Sequence, residues 1–350
     1  MSGPLASSSS RAWGLFGQDR LVSDFRRAVI AGPRHAYILA GAPQSGRRTL
    51  AVAFAKALNC LEPPAPGEFC GHCGVCRRID RGVFPDVSIF DLSAQAERER
   101  ASGKNLTLTI ATVREVTSQV AYRPSEARWR VVIIDDVESM QDTAQEAFLK
   151  TLEEPPPYAV ILLLTTDADV LLPTIRSRCV TVRMQVANAS AVEEALLHRG
   201  VTEDDSTRIA ALSNGRVGWA MTAAADRTVL ERALEEEKEA AGWLAAGAFD
   251  RLVRAWMLAE EFAKDRESVY RKLHAVQRAW RGILYRRHGV AATGTIAQGD
   301  MSPDMLTPLS GLSIARAMAS VDECITDLEA NVRPRLALQT MVISWPDLPR

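Results

Sequence analysis

The sequence is short of the features that would place a protein in a membrane, on a nucleic acid or outside the cell. None of its apolar runs approaches the ~18 residues that a membrane-crossing helix needs. Met1–Ser10 has neither the basic start nor the apolar stretch of a secretory signal and ends in four serines. Residues 1–13 are therefore expected to form a disordered tail, and the protein to be cytoplasmic. Lys and Arg number 42 against 43 Asp and Glu, for a net charge of −1. No global basic field draws in DNA, so any nucleic-acid contact must be local or made through partners. Aromatic residues make up only 6%, which leaves few platforms for stacking single-stranded bases. Six cysteines in 350 residues do not suit a disulfide scaffold, and the clustering of four of them points to a metal instead. What remains, at 47% hydrophobic and 24% charged, has the make-up of a globular protein. Its length suits two or three domains at roughly 100 to 200 residues each.

The chain is organised around Arg130–Cys179. Val131-Val132-Ile133-Ile134 is a run of β-branched residues bounded by charge, which reads as a strand buried on both faces in a parallel sheet covered by helices. Asp135 and Asp136 then stand at the strand's carboxyl end, where open α/β sheets bind ligands, and where phosphate-binding ATPases keep the acid that orients Mg²⁺. A second such run, Val160–Leu164, ends in Thr165-Thr166-Asp167, which puts hydroxyls at the same edge. Between them Ala144–Leu152 reads as a helix stopped by Glu153-Glu154-Pro155-Pro156-Pro157, because proline excludes the residue before it from the helical conformation.

Upstream, the apolar strand His35–Ala40 leads into Gly41-Ala42-Pro43-Gln44-Ser45-Gly46-Arg47-Arg48-Thr49 and a helix, Leu50–Leu58. Strand, Gly-x4-Gly, helix is the setting of a phosphate-binding loop, in which backbone N–H groups and the helix N-terminus cradle phosphates. A working loop continues Gly-Lys-Ser/Thr, but here the last two positions are Arg47 and Arg48. Arginine keeps the lysine's charge as a larger planar fork. At the hydroxyl position it removes the direct metal ligand and puts a cation where Mg²⁺ would sit. Thr49 rescues the hydroxyl only by a one-residue shift. Three readings stay open: a structural relic, a site that binds nucleotide without turnover, and a hydrolysing site.

Cys60, Cys70, Cys73 and Cys76 follow with the spacing Cys-x9-Cys-x2-Cys-x2-Cys, and Gly71 and Gly74 lie in the turns between them. Four thiolates suit tetrahedral Zn²⁺ in a closed, structural site. The reading is a small zinc knuckle in a polar loop, with His72 as an alternative ligand. Residues 94–105 read as a charged loop, with a DNA-facing role as one option. Ile110–Val120 is a helix, Leu171–Arg178 a short one, and Val180–Val182 a last strand. Beyond Ala187 only helical patterns appear. Stripes such as Leu252, Trp256, Ala259 and Phe262 are core packing at helical spacing, and a bundle without a catalytic cluster suggests assembly.

Taken together, His35-Ala36-Tyr37, the four cysteines, Leu149–Pro156, Leu172-Pro173-Thr174-Ile175 and Ser177-Arg178-Cys179 resemble the clamp-loader branch of the AAA+ ATPases. The resemblance covers about residues 14–183 and is strongest to the delta-prime subunits of the bacterial DNA polymerase III clamp loader. It implies an α/β P-loop (AAA+) parallel-sheet domain over 14–184 with a zinc knuckle at 60–76. A small helical lid domain (185–228) and an all-α collar or oligomerisation domain (229–350) would follow.

The gamma/tau motor subunits of that family carry an intact Gly-Lys-Thr loop, an Asp-Glu pair after the strand and a lid arginine. This chain has Arg47-Arg48, Asp135-Asp136 and Gly218, with Arg216 two residues from the lid position. The resemblance thus implies a stator without ATP turnover of its own, in which Gly41, Gly46, Arg47, Arg48, Thr49, Asp135, Asp136 and Thr165 form a degenerate nucleotide site. It also implies that Arg178 is an arginine finger acting in trans, the alternative role being an intramolecular salt bridge at a helix end. Implied partners are gamma/tau and delta subunits in a hetero-pentamer, and through them the sliding clamp and primed DNA. The rival expectations are a gamma/tau-like motor using Arg47 or Arg48 in place of lysine, and a zinc-dependent DNA-binding module.

Overall fold

The computed structural model describes residues 12–92, 107–289 and 309–347. The charged stretch 94–105 and most of the N-terminal tail lie outside these residues. Contacts divide the chain into two compact units, one of residues up to 201 with 213–220, the other of 202–212 with 221 onward.

The first unit is built on a five-stranded sheet in the order β2-β3-β4-β1-β5. Its elements run α1 (Asp19–Ala31), β1 (Ala36–Ala40), α2 (Arg47–Asn59), α3 (Gly74–Asp80), β2 (Val87–Phe90), α4 (Ile110–Ala121) and β3 (Arg130–Ile134). They continue with α5 (Asp142–Glu153), β4 (Ala159–Thr165), the one-turn α6 (Pro173–Arg176), β5 (Val180–Arg183) and α7 (Ala189–Leu197). Every strand pair is parallel, with Ala40 opposite Thr165 and Ile134 opposite Leu163. The sequence expectation of a parallel α/β sheet holds.

The unbroken apolar strands have a simple cause. Val131, Ile133, Leu162 and Leu164 face a core shared with Phe25, Phe54 and Leu50 on α1 and α2. Val132, Ile134, Ile161 and Leu163 face the opposite core, against Val113 and Val116 on α4 and Phe148 and Leu152 on α5. A strand with helices on both faces has no solvent side on which to place a polar residue. Edge strand β5 is largely exposed, and its sequence, Val-Thr-Val-Arg, is correspondingly mixed.

Trp13, which the sequence reading assigns to the tail, is 1% exposed. Its indole N–H donates to Glu68 at 3.2 Å and its ring meets Phe69 edge-on at 6.0 Å. Ordered packing therefore reaches at least one residue further toward the N-terminus. The cysteine-rich stretch is also more regular than a polar loop: Cys73 caps α3, and Cys76 lies in its first turn. Residues 185–228 do not group as one body. Ala187 N–H donates to Gly215 at 3.0 Å and Gly218 N–H to Gln44 at 2.9 Å, which ties 213–220 to the sheet unit.

The second unit contains α8 (Glu203–Ser213) up to Leu212, the part of α9 (Val217–Ala225) from Met221, and α10 (Arg227–Ala245), α11 (Ala248–Phe262), α12 (Arg266–Arg287), α13 (Gly311–Glu329) and α14 (Pro334–Ile343). Its core gathers Trp243, Trp280 and Trp345 at ring separations of 5.3 and 5.7 Å with Leu273, Val276, Ile314 and Val321. Arg251 is buried beside Trp345 and spends its donors on the Pro346 and Leu244 carbonyls. No helix of the described residues is long and apolar enough to cross a membrane.

Candidate nucleotide-site remnant, arginine and cysteine cluster

Parallel pairing brings the ends of β1, β3 and β4 to one edge, so the loop after β1, the two acids after β3 and Thr165 converge. Gly41 follows β1 directly and donates its N–H to the Thr165 carbonyl at 3.1 Å. A Cβ at Gly41 would lie 2.9 Å from the Met184 carbonyl oxygen, so only glycine lets the backbone pass there. The loop then turns through Gln44 (φ 61°) and Gly46 (φ 101°), left-handed conformations that glycine adopts without cost. The first N–H groups of α2 emerge with no side-chain cap. This is the backbone of a phosphate cradle. Ser45 is buried within it and its hydroxyl has no hydrogen-bond partner.

Two arginines at the start of α2 face the acids of this edge, and Arg47 Nη1 is buried without a hydrogen-bond partner. Arg48 Nη1 donates to Asp91 at 2.8 Å and lies 3.8 Å from an Asp135 oxygen. Arg48 thus supplies a cation between the carboxylates at the ends of β2 and β3. Burial raises the Asp135 carboxyl, partly offset by a hydrogen bond from the Asp136 N–H and by the charges of Arg47 and Arg48. Burial also raises Asp136, with the neighbouring charges of Asp135 and Glu138 pushing the same way. Asp136 sits in left-handed backbone at φ 54°. Thr49 is exposed near the start of α2. The Thr165 hydroxyl is spent on the Asp167 carbonyl at 2.8 Å. Gly218 lies on the loop itself, where a Cβ would come within 2.9 Å of the Gln44 carbonyl oxygen.

Arg178 lies elsewhere, just past α6. Its Nη1 donates to the Thr174 carbonyl at 2.8 Å and to the Ser177 hydroxyl at 3.3 Å, and its Nη2 to Glu153 at 2.6 Å. The intramolecular pair that the sequence offers as the alternative role of this arginine is therefore formed. One third of the side chain remains open to solvent.

At the far end of α2, Cys60 meets Cys70, Cys73 and Cys76, all four sulfurs lying within 4.8 Å of one another. Cys60 and Cys70 are 3.6 Å apart between sulfurs, too far for a disulfide at ~2.05 Å and close to the ~3.8 Å edge of a tetrahedron with ~2.3 Å metal–sulfur bonds. The Cys70, Cys73 and Cys76 N–H groups point at the sulfurs of Cys60, Cys70 and Cys73 at 3.3, 3.2 and 3.5 Å. Burial pushes the Cys73 thiol up, but hydrogen bonds to its sulfur, led by the Cys76 and Leu61 N–H groups, bring it down to about 6. Burial raises Cys60 and Cys76. Four thiols with N–H···S support fit a metal ion. His72, the alternative ligand, is instead in a second grouping with Glu62 and Cys70.

Residues 17–188 match the family profile described as "DNA polymerase III, delta subunit". The delta′ subunit of DNA polymerase III from Pseudomonas aeruginosa is 34% identical over 162 residues, 46% of each protein. Over residues 17–188 the chain belongs to the DNA polymerase III clamp-loader family. Haemophilus influenzae tau/gamma is 34% identical over 47% of this chain and 22% of its own length. The gamma subunit from Buchnera aphidicola of Schizaphis graminum is 30% identical over 53% and 47%. Alignment with these three relatives thus spans at most about half of each.

Within this clamp-loader chain, Gly41, Gly46, Arg47, Arg48, Asp135, Asp136 and Thr165 gather at one sheet edge. The four cysteines gather at the other end of α2, and Arg178 stands apart from both. Sequence reasoning missed Asp91, Gln44 and Glu153. The same strand-end rule that picked out Asp135 applies to Asp91 after β2. Glu153 was legible only as a helix stop.

Proposed function

We propose that this chain is a delta-prime-like stator of the DNA polymerase III clamp loader, with an ATP site that no longer turns over and Arg178 as an arginine finger to a neighbouring ATPase subunit. The observation that carries the reading is the Arg48 guanidinium held between Asp91 and Asp135. A site whose acids already share a built-in cation has less electrostatic demand for Mg²⁺, and without the metal a phosphoryl-transfer site loses its main source of charge stabilisation. Gly218, packed on Gln44, offers no lid cation in compensation. Zn²⁺ is the ion the four thiols suit, in a structural role that needs no open coordination position.

In this reading the partners are gamma/tau and delta subunits in a hetero-pentamer, which acts on the sliding clamp and primed DNA in the cytoplasm. Residues 14–184 serve as the AAA+ domain, 185–228 as a lid whose 213–220 stretch packs with the sheet unit, and 229–350 as the collar. An exposed apolar face on α11 supports assembly: Phe249, Trp256 and Met257 are 76%, 43% and 61% exposed, more contiguous apolar surface than isolated exposed residues present. Against a DNA-binding knuckle, Arg78 beside it is already paired with Glu126 through two bonds at 2.6 and 3.0 Å.

The test is Arg178→Ala in a loader reconstituted with gamma/tau, delta and clamp. DNA-stimulated ATP hydrolysis should fall by at least about a hundredfold, given the roughly 10³–10⁵ that such fingers contribute elsewhere, while the pentamer still assembles. Hydrolysis at the wild-type rate would remove the finger.

A further inference from the structure

We infer that Glu153 is the positioning residue for Arg178, and that α5 is the rigid spacer that sets where the arginine stands. The inference rests on the finger reading above. Arg178 follows a helix of a single turn, α6, which has too few internal hydrogen bonds to fix a long side chain by itself. Its own turn holds Nη1 through the Thr174 carbonyl and the Ser177 hydroxyl, and α5 holds both the start of that turn and the other arm of the fork. At that helix's N-terminal turn, Gln145 is 3% exposed. It donates its amide to the Met140 carbonyl at 3.2 Å and accepts the Leu172 N–H at 3.0 Å, which pins the residue that opens α6. At its last residue, Glu153 accepts Arg178 Nη2 at 2.6 Å. α5 thus holds α6 at one end and the arginine beyond it at the other.

The pair also leaves donors free. Nη1 is committed to the Thr174 carbonyl and Ser177 hydroxyl, and Nη2 to Glu153. Arginine has five N–H donors in a planar fork, so the same contacts that set the plane of the guanidinium leave an edge for an incoming phosphate oxygen. Both partners are substantially exposed, at 34% and 50% of their side chains. The ion pair therefore adds little stability, and its chief consequence is the orientation of Arg178. The acid stops α5 one residue before the proline-rich turn, so a neighbour's phosphate meets an arginine already placed rather than one searching its rotamers.

The test compares wild-type, Glu153→Gln, Glu153→Asp, Arg178→Ala and the double variant Glu153→Gln/Arg178→Ala in the reconstituted loader, reading kcat and KM for ATP together with the chain's melting temperature. Glu153→Gln should lower kcat by about ten- to a hundredfold, the scale on which small misplacements of reacting groups act, with KM and melting temperature unchanged. Glu153→Asp should recover part of the rate. In the Arg178→Ala background, Glu153→Gln should cost nothing further. A Glu153→Gln loader at or above the wild-type kcat, or a loss that adds to that of Arg178→Ala, overturns the positioning role while leaving the finger in place. Wild-type kcat in Arg178→Ala overturns the finger itself.

Discussion

The two ends of α2 make an instructive pair. The N-terminal end lies beside a strand-edge cluster of acids, and the C-terminal end, at Cys60, among four thiols. At the first end the chain brings its own cation, Arg48, within reach of Asp91 and Asp135. At the second, the backbone N–H groups of Cys70, Cys73 and Cys76 approach the sulfurs and can only partly offset thiolate charge. One end therefore already holds a side-chain cation, whereas the other offers four thiols suited to an ion. On the proposed stator reading, the loop keeps a phosphate cradle's backbone without its chemistry, because Arg48 stands at the metal-ligand position.

The comparison is broken most severely at the thiol end. Chelating the metal, or Cys76→Ser, should unfold residues 60–80 and lower the melting temperature sharply, with a loss of several kcal/mol as an upper share of the ~10 kcal/mol that structural zinc supplies to zinc-finger peptides. Metal content by elemental analysis and helicity by circular dichroism check it, and a chelator-resistant fold would make the cluster four ordinary thiols.

A smaller effect is expected at the other end. Arg48→Ala leaves Asp91 and Asp135 without their cation and should cost about 1 kcal/mol, the range for partly exposed pairs. It should also create a Mg²⁺-dependent rise in melting temperature that the wild-type chain lacks. An equal Mg²⁺ response in the wild type would mean that Arg48 does not stand in for the metal.

The smallest effect concerns pH. The Asp136 carboxyl is raised above its ordinary value of 3.8, first by burial and then by Asp135 and Glu138. The folded state thus holds this proton more tightly than the unfolded chain, and the associated stability is present in acid and lost as pH climbs from about the ordinary carboxylate value through the raised one. Asp136→Asn keeps a residue that tolerates left-handed backbone and removes that slope. It should raise stability at neutral pH by under about 1 kcal/mol, as read by denaturant titration at several pH values.

How much of this was legible in the sequence depended on whether the signal was local. The two-sided burial of β3 and β4 shows in uninterrupted Val, Ile and Leu, and the phosphate-loop geometry shows in Gly41 and Gly46, because both follow from a few consecutive residues. The cysteine spacing disclosed the metal-ligand set, but not that Cys73 would cap a helix: α3 is seven residues long, too short for periodicity to declare itself against glycine-rich flanks. The Arg48–Asp91 and Arg178–Glu153 contacts join residues 43 and 25 positions apart. Only the parallel register and the packing of α5 on α6 bring them together. Glu153 carried a plainer explanation as part of the Glu-Glu-Pro stretch that stops the helix, and that explanation concealed the second.

The most direct measurement of the central claim is ATP hydrolysis by the purified chain alone, with Mg²⁺ and primed DNA, beside the same assay after gamma/tau, delta and clamp are added. A stator with an internally satisfied site gives no turnover alone and stimulated turnover in the mixture. Sustained hydrolysis by the isolated chain, lost on substitution of Arg47 or Arg48, would instead make those arginines a working phosphate site and the chain a motor.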